Sequence, residues 1–394
     1  MKLFSKLIKR EFKLFFKNEF ALLLFFGAPI LYALLTGYVY KSATIHDLPI
    51  VVVDLDNSPL SNKIIDALDD NTYLKVAEVN YEQKNVDDEI IRKNYVAVVT
   101  IPIGFEGNIL QKRPAEIDAD INGANMLTAN YASTGIQTVL SIINSGIEIE
   151  ALQKKGIPNA IANRQFEGFR INITRFYNPA SNYLIFLWPG LLGVILQQVF
   201  LLVLALSFAK EFEDNTFKNL LKYSQNSMYL IFLKSIPYWL LGIALWLPIT
   251  RLYFYWFNVP MVQHLGAFYL ISALFILSLA FMGIASSIVF KTQLRATEVL
   301  MIIATPSFII SGQTWPLSEM PVIIRYISDI IPLTHFLEGF RKLLLCNASL
   351  SEIMPQVVNL AILSVVFLVI AFFSLRYRIT GKSYLIKKIK ARFW

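Results

Sequence analysis

Six long apolar runs constrain this chain more than any other feature of it. A helix rising about 1.5 Å per residue needs about 20 apolar residues to cross roughly 30 Å of hydrocarbon. Residues 20–40 form such a run, free of charge between Glu19 and Lys41. Others lie at 183–209, 235–250, 264–290, 299–317 and about 353–375. The run at 235–250 is short and extends backwards through 228–233, past Lys234. Six spans is the best count, with five and seven left open. Composition agrees: 55% of residues are hydrophobic and only 16% charged, where a soluble domain carries roughly 25%. The 30 Phe, 18 Tyr and 6 Trp suit lipid-facing and interfacial positions. The expected fold class is a polytopic α-helical membrane protein.

The formal net charge of +8 invites a nucleic-acid reading, but its placement excludes one. The first twenty residues carry Lys2, Lys6, Lys9, Arg10, Lys13 and Lys17 against Glu11 and Glu19. From Arg376 onward there are seven basic residues and no acid, whereas residues 41–181 have a net charge of −5. Basic ends flanking spans are the positive-inside pattern and attract anionic lipid headgroups. No folded basic surface remains for nucleic acid. Both termini and the loops 210–227 and 291–298 are thus expected in the cytoplasm, and 41–181 outside. Residues 1–18 read as an amphipathic helix in the cytoplasmic interface, with Leu3, Phe4, Leu7, Ile8, Phe12, Phe15 and Phe16 on one face. A plain positive-inside anchor is the alternative. The first run does not read as a cleaved signal, because Tyr38-Val39-Tyr40-Lys41 is too bulky for a cleavage site. Cys346 stands alone, which excludes an intramolecular disulfide.

Residues 41–181 have a different texture. The β-branched run 49–54 reads as a buried strand. Ser58-Pro59-Leu60 opens a helix, with Ser at the cap and Pro at its first position. Residues 73–79 alternate like a second strand, 87–93 look helical, and 95–101 and 117–121 read as strands. A long helical stretch, 125–155, ends at Gly156-Ile157-Pro158. Alternating strands and helices over about 140 residues argue one extracytoplasmic α/β domain. It is inserted between the first span (19–40) and the remaining five (182–375), and a basic tail follows at 376–394.

Missing chemistry narrows the function. The centres of the runs hold almost no Asp, Glu, Lys or Arg, whereas ion-driven carriers need buried ionisable groups. Energy for transport would then come from another polypeptide. Gly381-Lys382-Ser383 resembles the end of a phosphate-binding loop, but that motif needs Gly where Arg376 stands, with a strand before it and a helix after. His46, His264 and His335 lack metal-site spacing. Asp54 and Asp56 lack the Gly and distal Glu of a calcium loop and read as a strand end leading into a helix cap. No nucleophile has a base nearby, so neither catalysis nor a cofactor is expected in this chain.

Two stretches carry a functional reading. Glu211, Glu213 and Asp214 precede Thr216, which can cap a short helix with Phe217, Leu220 and Leu221 on one face. That face, with acids before it, suits a groove on a soluble partner; a membrane-lying linker is the alternative. Residues 311–345 are broken by Pro316, Pro321 and Pro332. They fit re-entrant helices near the outer mouth, since broken helix at membrane depth must be buried in protein or line a cavity. An amphipathic surface loop fits nearly as well. In the second run, Gln197 and Gln198 either line a substrate path or pair helices, and pairing is favoured.

Several segments recur in a recognisable order. Lys9-Arg10-Glu11 leads into a first run containing Pro29. Asp54-Leu55-Asp56-Asn57-Ser58-Pro59-Leu60-Ser61 follows, then 97–106 with Pro102 and Phe105, Tyr177-Asn178-Pro179, and Pro189-Gly190. Ser311-Gly312, Pro316, Met320-Pro321 and Pro332-Leu333-Thr334-His335-Phe336 through Arg341 complete the series. In this order the chain resembles the permease subunits of ABC-2 type exporters, in the branch with a large extracytoplasmic domain after the first span. The segments at 54–61 and 97–106 are similar to that family's DxDNSxxS stretch and vxIPxxFe strand.

The resemblance implies that two such subunits pair, identical or not, each binding a separate nucleotide-binding subunit that holds ATP and Mg. Residues 211–221 would form the coupling helix. The family pattern there is roughly ExExGT; Glu211, Glu213 and Thr216 are kept, while Asn215 stands for the Gly and Tyr223-Ser224-Gln225 for a frequent Thr-Pro. It further implies a bacterial inner membrane, a periplasmic adaptor and outer-membrane channel in some relatives, and efflux of hydrophobic or amphipathic compounds, often multidrug. The rivals are a sensor or scaffold moving a cytoplasmic partner, and a self-sufficient carrier or channel.

Overall fold

The computed structural model describes residues 2–42, 44–82, 94–154, 176–178, 181–290 and 292–390. They fall into two compact units, one of Met1–Ala43 with Arg175–Trp394 and the other of Thr44–Thr174. The chain begins with α1 (Lys2–Phe16) and turns into α2 (Glu19–Val39). Asn18 caps that turn, its side chain accepting from the amide of Ala21 at 3.2 Å. Within α2, Leu23–Gly27 widen to a π-turn just before Pro29, whose missing amide interrupts the α ladder.

The second unit contains β1 (Leu48–Asp54), α3 (Pro59–Asp69), β2 (Leu74–Asn80), β3 (Ala97–Ile101), α4 (Phe105–Leu110), β4 (Asp118–Ile121) and α5 (Met126–Lys154). The sheet runs β2-β1-β3-β4, with β1 parallel to both neighbours and β4 antiparallel to β3. β1 is central and buried on both faces, which is why its sequence is continuously apolar rather than alternating. Ile50 and Val52 pack with Ile64 and Leu68 of α3 and Ala132 and Ile136 of α5. Val51 and Val53 pack with Tyr95 and Val98 on the other face. The helix expected at 87–93 lies outside the described residues.

The motif residues of this unit stitch its elements together. Ser58 accepts from the amide of Ser61 at 3.1 Å, and the Ser61 hydroxyl accepts from the amide of Ser58 at 2.9 Å, a reciprocal cap for α3. Asp54 is buried and accepts from the amides of Asp56 and Asn57 at 3.1 and 3.0 Å and from the Ser61 hydroxyl at 2.7 Å. Asp56 in turn accepts from the amide of Glu106 at 3.0 Å, tying β1 to α4. The stretch likened to a strand ends at Ile101; after Pro102, Gly104 takes φ 73 and Phe105 opens α4 with its ring in the core.

The first unit continues with α6 (Tyr183–Glu213), α7 (Phe217–Leu221), α8 (Ser227–Trp256), α9 (Leu265–Val289), α10 (Gln293–Ile310), α11 (Val322–Asp329), α12 (Pro332–Leu345) and α13 (Met354–Lys390). Among the described residues, six helices are long and apolar enough to span a membrane: α2, α6, α8, α9, α10 and Met354–Thr380 of α13. The chain is a polytopic helical membrane protein. α6 and α9 form its centre: 78% and 72% of the residues in their apolar 18-residue stretches are buried, against 22% for α10. Their approach is close, since a Cβ on Gly283 of α9 would lie 2.6 Å from Leu204 of α6.

The backward extension expected of the run at 235–250 is present, whereas the bounds of the run at 299–317 differ. The short run at 235–250 belongs to a 30-residue helix, capped by Asn226, which accepts from the amides of Met228 and Tyr229 at 2.9 and 3.3 Å. The run at 299–317 is displaced: α10 starts at Gln293 behind the Thr292 cap, and Gly312, at φ 82, terminates it. Gly381-Lys382-Ser383 sits inside α13, where no phosphate-binding loop forms.

Candidate functional site

Spacing by four places Leu7, Glu11 and Phe15 on one stripe of α1, and all three are buried. The stripe docks on α8, where Phe4 meets Tyr229 edge-on at 5.3 Å and Phe15 meets Tyr238 at 5.8 Å. Glu11 is thereby carried into the interior, only 3% exposed, and needs a cation. Lys234 of α8, also 3% exposed, supplies it, with Nζ 3.0 Å from Glu11 Oε2 and 2.9 Å from Glu211 Oε1. Arg10 closes the cluster from the rim, at 3.0 Å from Glu11 and 3.2 Å from Glu211. The hydroxyl of Thr216 donates to the other oxygen of Glu211. Two acids and two bases thus balance where α1, α6, α8 and the segment before α7 converge.

This geometry turns the apolar residues of the 211–221 segment toward the chain's own core. Glu211 faces inward, and Thr216 spends its hydroxyl on Glu211 instead of capping α7. Phe217 and Leu220 are each 1% exposed and Leu221 is half-buried. Phe217 lies against Phe212 at 4.9 Å and Phe208 at 6.4 Å. The apolar face of α7 is filled by the chain's own core and is not free to enter a partner's groove. Its outer side presents Lys218, Asn219 and Lys222, preceded by Asn215. Asn215 takes φ 57, a conformation open to Gly and tolerated by Asn, so it reproduces the backbone that a Gly would give.

The segment is braced from two further directions. Glu213 is exposed and accepts from the amide of Gln293 at 2.9 Å and from its side-chain amide, placing negative charge at the α10 N-terminus. Arg378 of α13 lies 4.4 Å over the Phe212 ring and donates to the Val289 carbonyl at 2.8 Å, at the end of α9.

Other residues singled out in the sequence lie elsewhere. Gln197 donates to Ser307 Oγ at 2.7 Å, and that hydroxyl donates to the Ala304 carbonyl at 2.6 Å, so Gln197 pairs α6 with α10. Gln198, next to it, is half-buried. Pro316 precedes a 3₁₀ turn at Leu317–Glu319, Pro321 precedes α11, and Pro332 is the first residue of α12. α12 is deeply buried, Phe336 stacking on Phe275 at 4.1 Å, while α11 leaves Val322, Ile323 and Tyr326 exposed. A cavity of about 370 Å³ opens beside Gly312, Pro316 and Arg341. Arg341 donates to the Gly312 carbonyl at 3.3 Å, and Gln313 donates to that of Phe186 at 2.7 Å.

Over residues 20–373 the sequence matches the family described as ABC-2 family transporter protein. The chain belongs to the ABC-2 transporter family. It is 27% identical over 253 residues to "Probable multidrug ABC transporter permease YbhS" of Escherichia coli strain K12, covering 64% of each chain. It is 24% identical over 253 residues to "Probable multidrug ABC transporter permease YbhR" of the same strain, covering 66% of that protein. With "Inner membrane transport permease YhhJ", also from that strain, identity is 22% over 358 residues, 88% of this chain and 90% of that one. The chain thus spans just under two thirds of the length of the first two relatives. The ABC-2 match includes Glu211 and Lys234 but stops short of Arg10, Glu11 and Arg378.

Proposed function

We propose that this chain is the membrane-spanning permease subunit of an ATP-driven exporter that moves hydrophobic or amphipathic compounds out of the cytoplasm or the inner membrane. The observation that carries the reading is an ABC-2 match over 20–373 laid on six candidate spans. The permease does no chemistry itself; a separate nucleotide-binding subunit holds ATP and Mg, and a second permease, identical or not, completes the pathway. The names of the YbhS and YbhR proteins support multidrug efflux, and that of YhhJ supports a bacterial inner membrane.

Both termini and the segment 210–227 lie in the cytoplasm under this reading, with α1 at the membrane interface. Thr44–Thr174 is the extracytoplasmic α/β domain, forming a vestibule or docking an adaptor that leads to an outer-membrane channel. Residues 311–345 close the outer mouth. The polar side of α7 meets the ATPase, and its buried side passes the movement to α6 and α8 through the Glu211–Lys234 cluster.

The test is a mild-detergent pull-down of the chain from native membranes, identifying what is retained. Recovery of a subunit bearing a complete phosphate-binding loop, lost on Lys218→Glu with Asn219→Glu, is the expected result. A clean preparation without such a subunit that still supports flux in liposomes would overturn the reading.

A further inference from the structure

Beneath α1, the polar cluster opens into a slot of about 170 Å³ walled by α1, α2, α6 and α8. Its lining changes character along its length. Arg10, Lys210 and Asp214 stand at one end, and Ala21 and Val203 at the other. The chain climbs eleven residues from Asp214 to Val203, roughly 16 Å at the helical rise. The polar end holds three cations, Arg10, Lys210 and Lys234, and three carboxylates, Glu11, Glu211 and Asp214. Leu14 and Phe15 continue the apolar wall. Ser207, midway, is 7% exposed, lines the slot, and its hydroxyl has no hydrogen-bond partner among the described residues.

An occupant must therefore be polar and charge-balanced at one end and apolar at the other. A net charge brought to this balanced set would leave one sign uncompensated in a partly buried place. We propose that the slot holds one membrane phospholipid with a zwitterionic phosphoethanolamine headgroup. Its phosphate lies against Arg10 and Lys210, its ammonium against Asp214, an ester or phosphate oxygen accepts from Ser207, and one acyl chain follows Leu14, Phe15 and Val203. The site needs only that the chain spans a membrane; it stands whether or not the chain exports anything.

The full chain is extracted from membranes containing phosphatidylethanolamine and phosphatidylglycerol, washed with detergent, and weighed by native mass spectrometry. One phosphatidylethanolamine per chain should survive the wash. Ser207→Leu fills the slot without touching an ion pair, and Lys210→Gln alters only an exposed side chain; each should lower retention about tenfold, the cost of one charged hydrogen bond. With lipid stripped from both, the melting temperature of Lys210→Gln should match that of the parent chain, so its loss of lipid cannot come from unfolding. Three results would overturn the proposal: no lipid on the parent chain, retention indifferent to both variants, or phosphatidylglycerol held in preference.

Discussion

Lys234 is the residue on which the polar cluster turns, because it is the buried cation that reaches both buried carboxylates. Lys234→Met leaves Glu11 and Glu211 sharing only Arg10, and breaking a buried pair in this way costs about 3–5 kcal/mol. The triple variant Glu11→Gln, Lys234→Met, Glu211→Gln should recover most of that loss, since neutral groups of similar volume need no counter-ion. Thermal aggregation midpoints of both variants in one detergent check this, and equal destabilisation would mean that shape, not charge, holds the cluster. Half of the device was legible. Glu11 lies four residues from Leu7 and from Phe15, on the apolar stripe of α1, and Lys234 interrupts an apolar run. A charge on an apolar face signals a buried partner. Spacing could not say which partner, because Arg10 and Glu211 are 201 positions apart and only the packed fold brings them together.

Among the elements, α3 and α7 show what a local pattern can and cannot say. Ser58-Pro59 is a start signal whose chemistry is local, so the cap could be read directly, whereas the return bond from Ser61 lies outside the usual Glu/Gln pattern. Burial alone would raise the Asp56 carboxyl, but the Ser58 hydroxyl and the amides of Glu106, Gly104 and Phe105 hold it below its ordinary value of 3.8. A carboxyl with a depressed folded value contributes stability that is present above the unfolded value and is lost as pH falls through the folded one. Protection factors of the amides in Phe105–Leu110 should therefore fall below pH 3.8. Asp56→Asn should exchange faster at neutral pH and show a flatter acid response. For α7, the pattern told which residues share a side but not what covers it. Five residues are too few to show whether an apolar face is an interface or a piece of core. Burial of Phe217 decides it: Phe217→Ala should cost about 3–5 kcal/mol, while Lys218→Ala should stay within about 0.5 kcal/mol. Unfolding midpoints of the two variants measure the difference, and the reverse order would restore the docking face.

At the scale of the whole molecule, the helical core and the two sheet cores share no residue among those described. The helical core draws on residues from Leu7 to Leu375 while skipping the inserted unit, and the sheet cores draw only on residues between Leu48 and Val139. The spans were legible because crossing hydrocarbon demands a length of apolar chain that composition alone reveals. The ends of α10 were not, because a left-handed Gly312 stops the helix inside a run that carries no charge until Glu319. Disjoint cores predict separable stability. Replacing Thr44–Thr174 by a short Gly/Ser linker removes no described side chain from the helical core. The melting free energy of the remainder should then change by no more than a surface substitution does, about 0.5 kcal/mol. A loss of several kcal/mol in a detergent melt would show that the helices depend on the sheet. If the shortened chain keeps its stability and still retains the proposed ATPase subunit yet loses efflux from whole cells, the inserted unit serves the proposed path outside the membrane rather than the fold. Efflux at the parent rate would remove it from the transport route altogether.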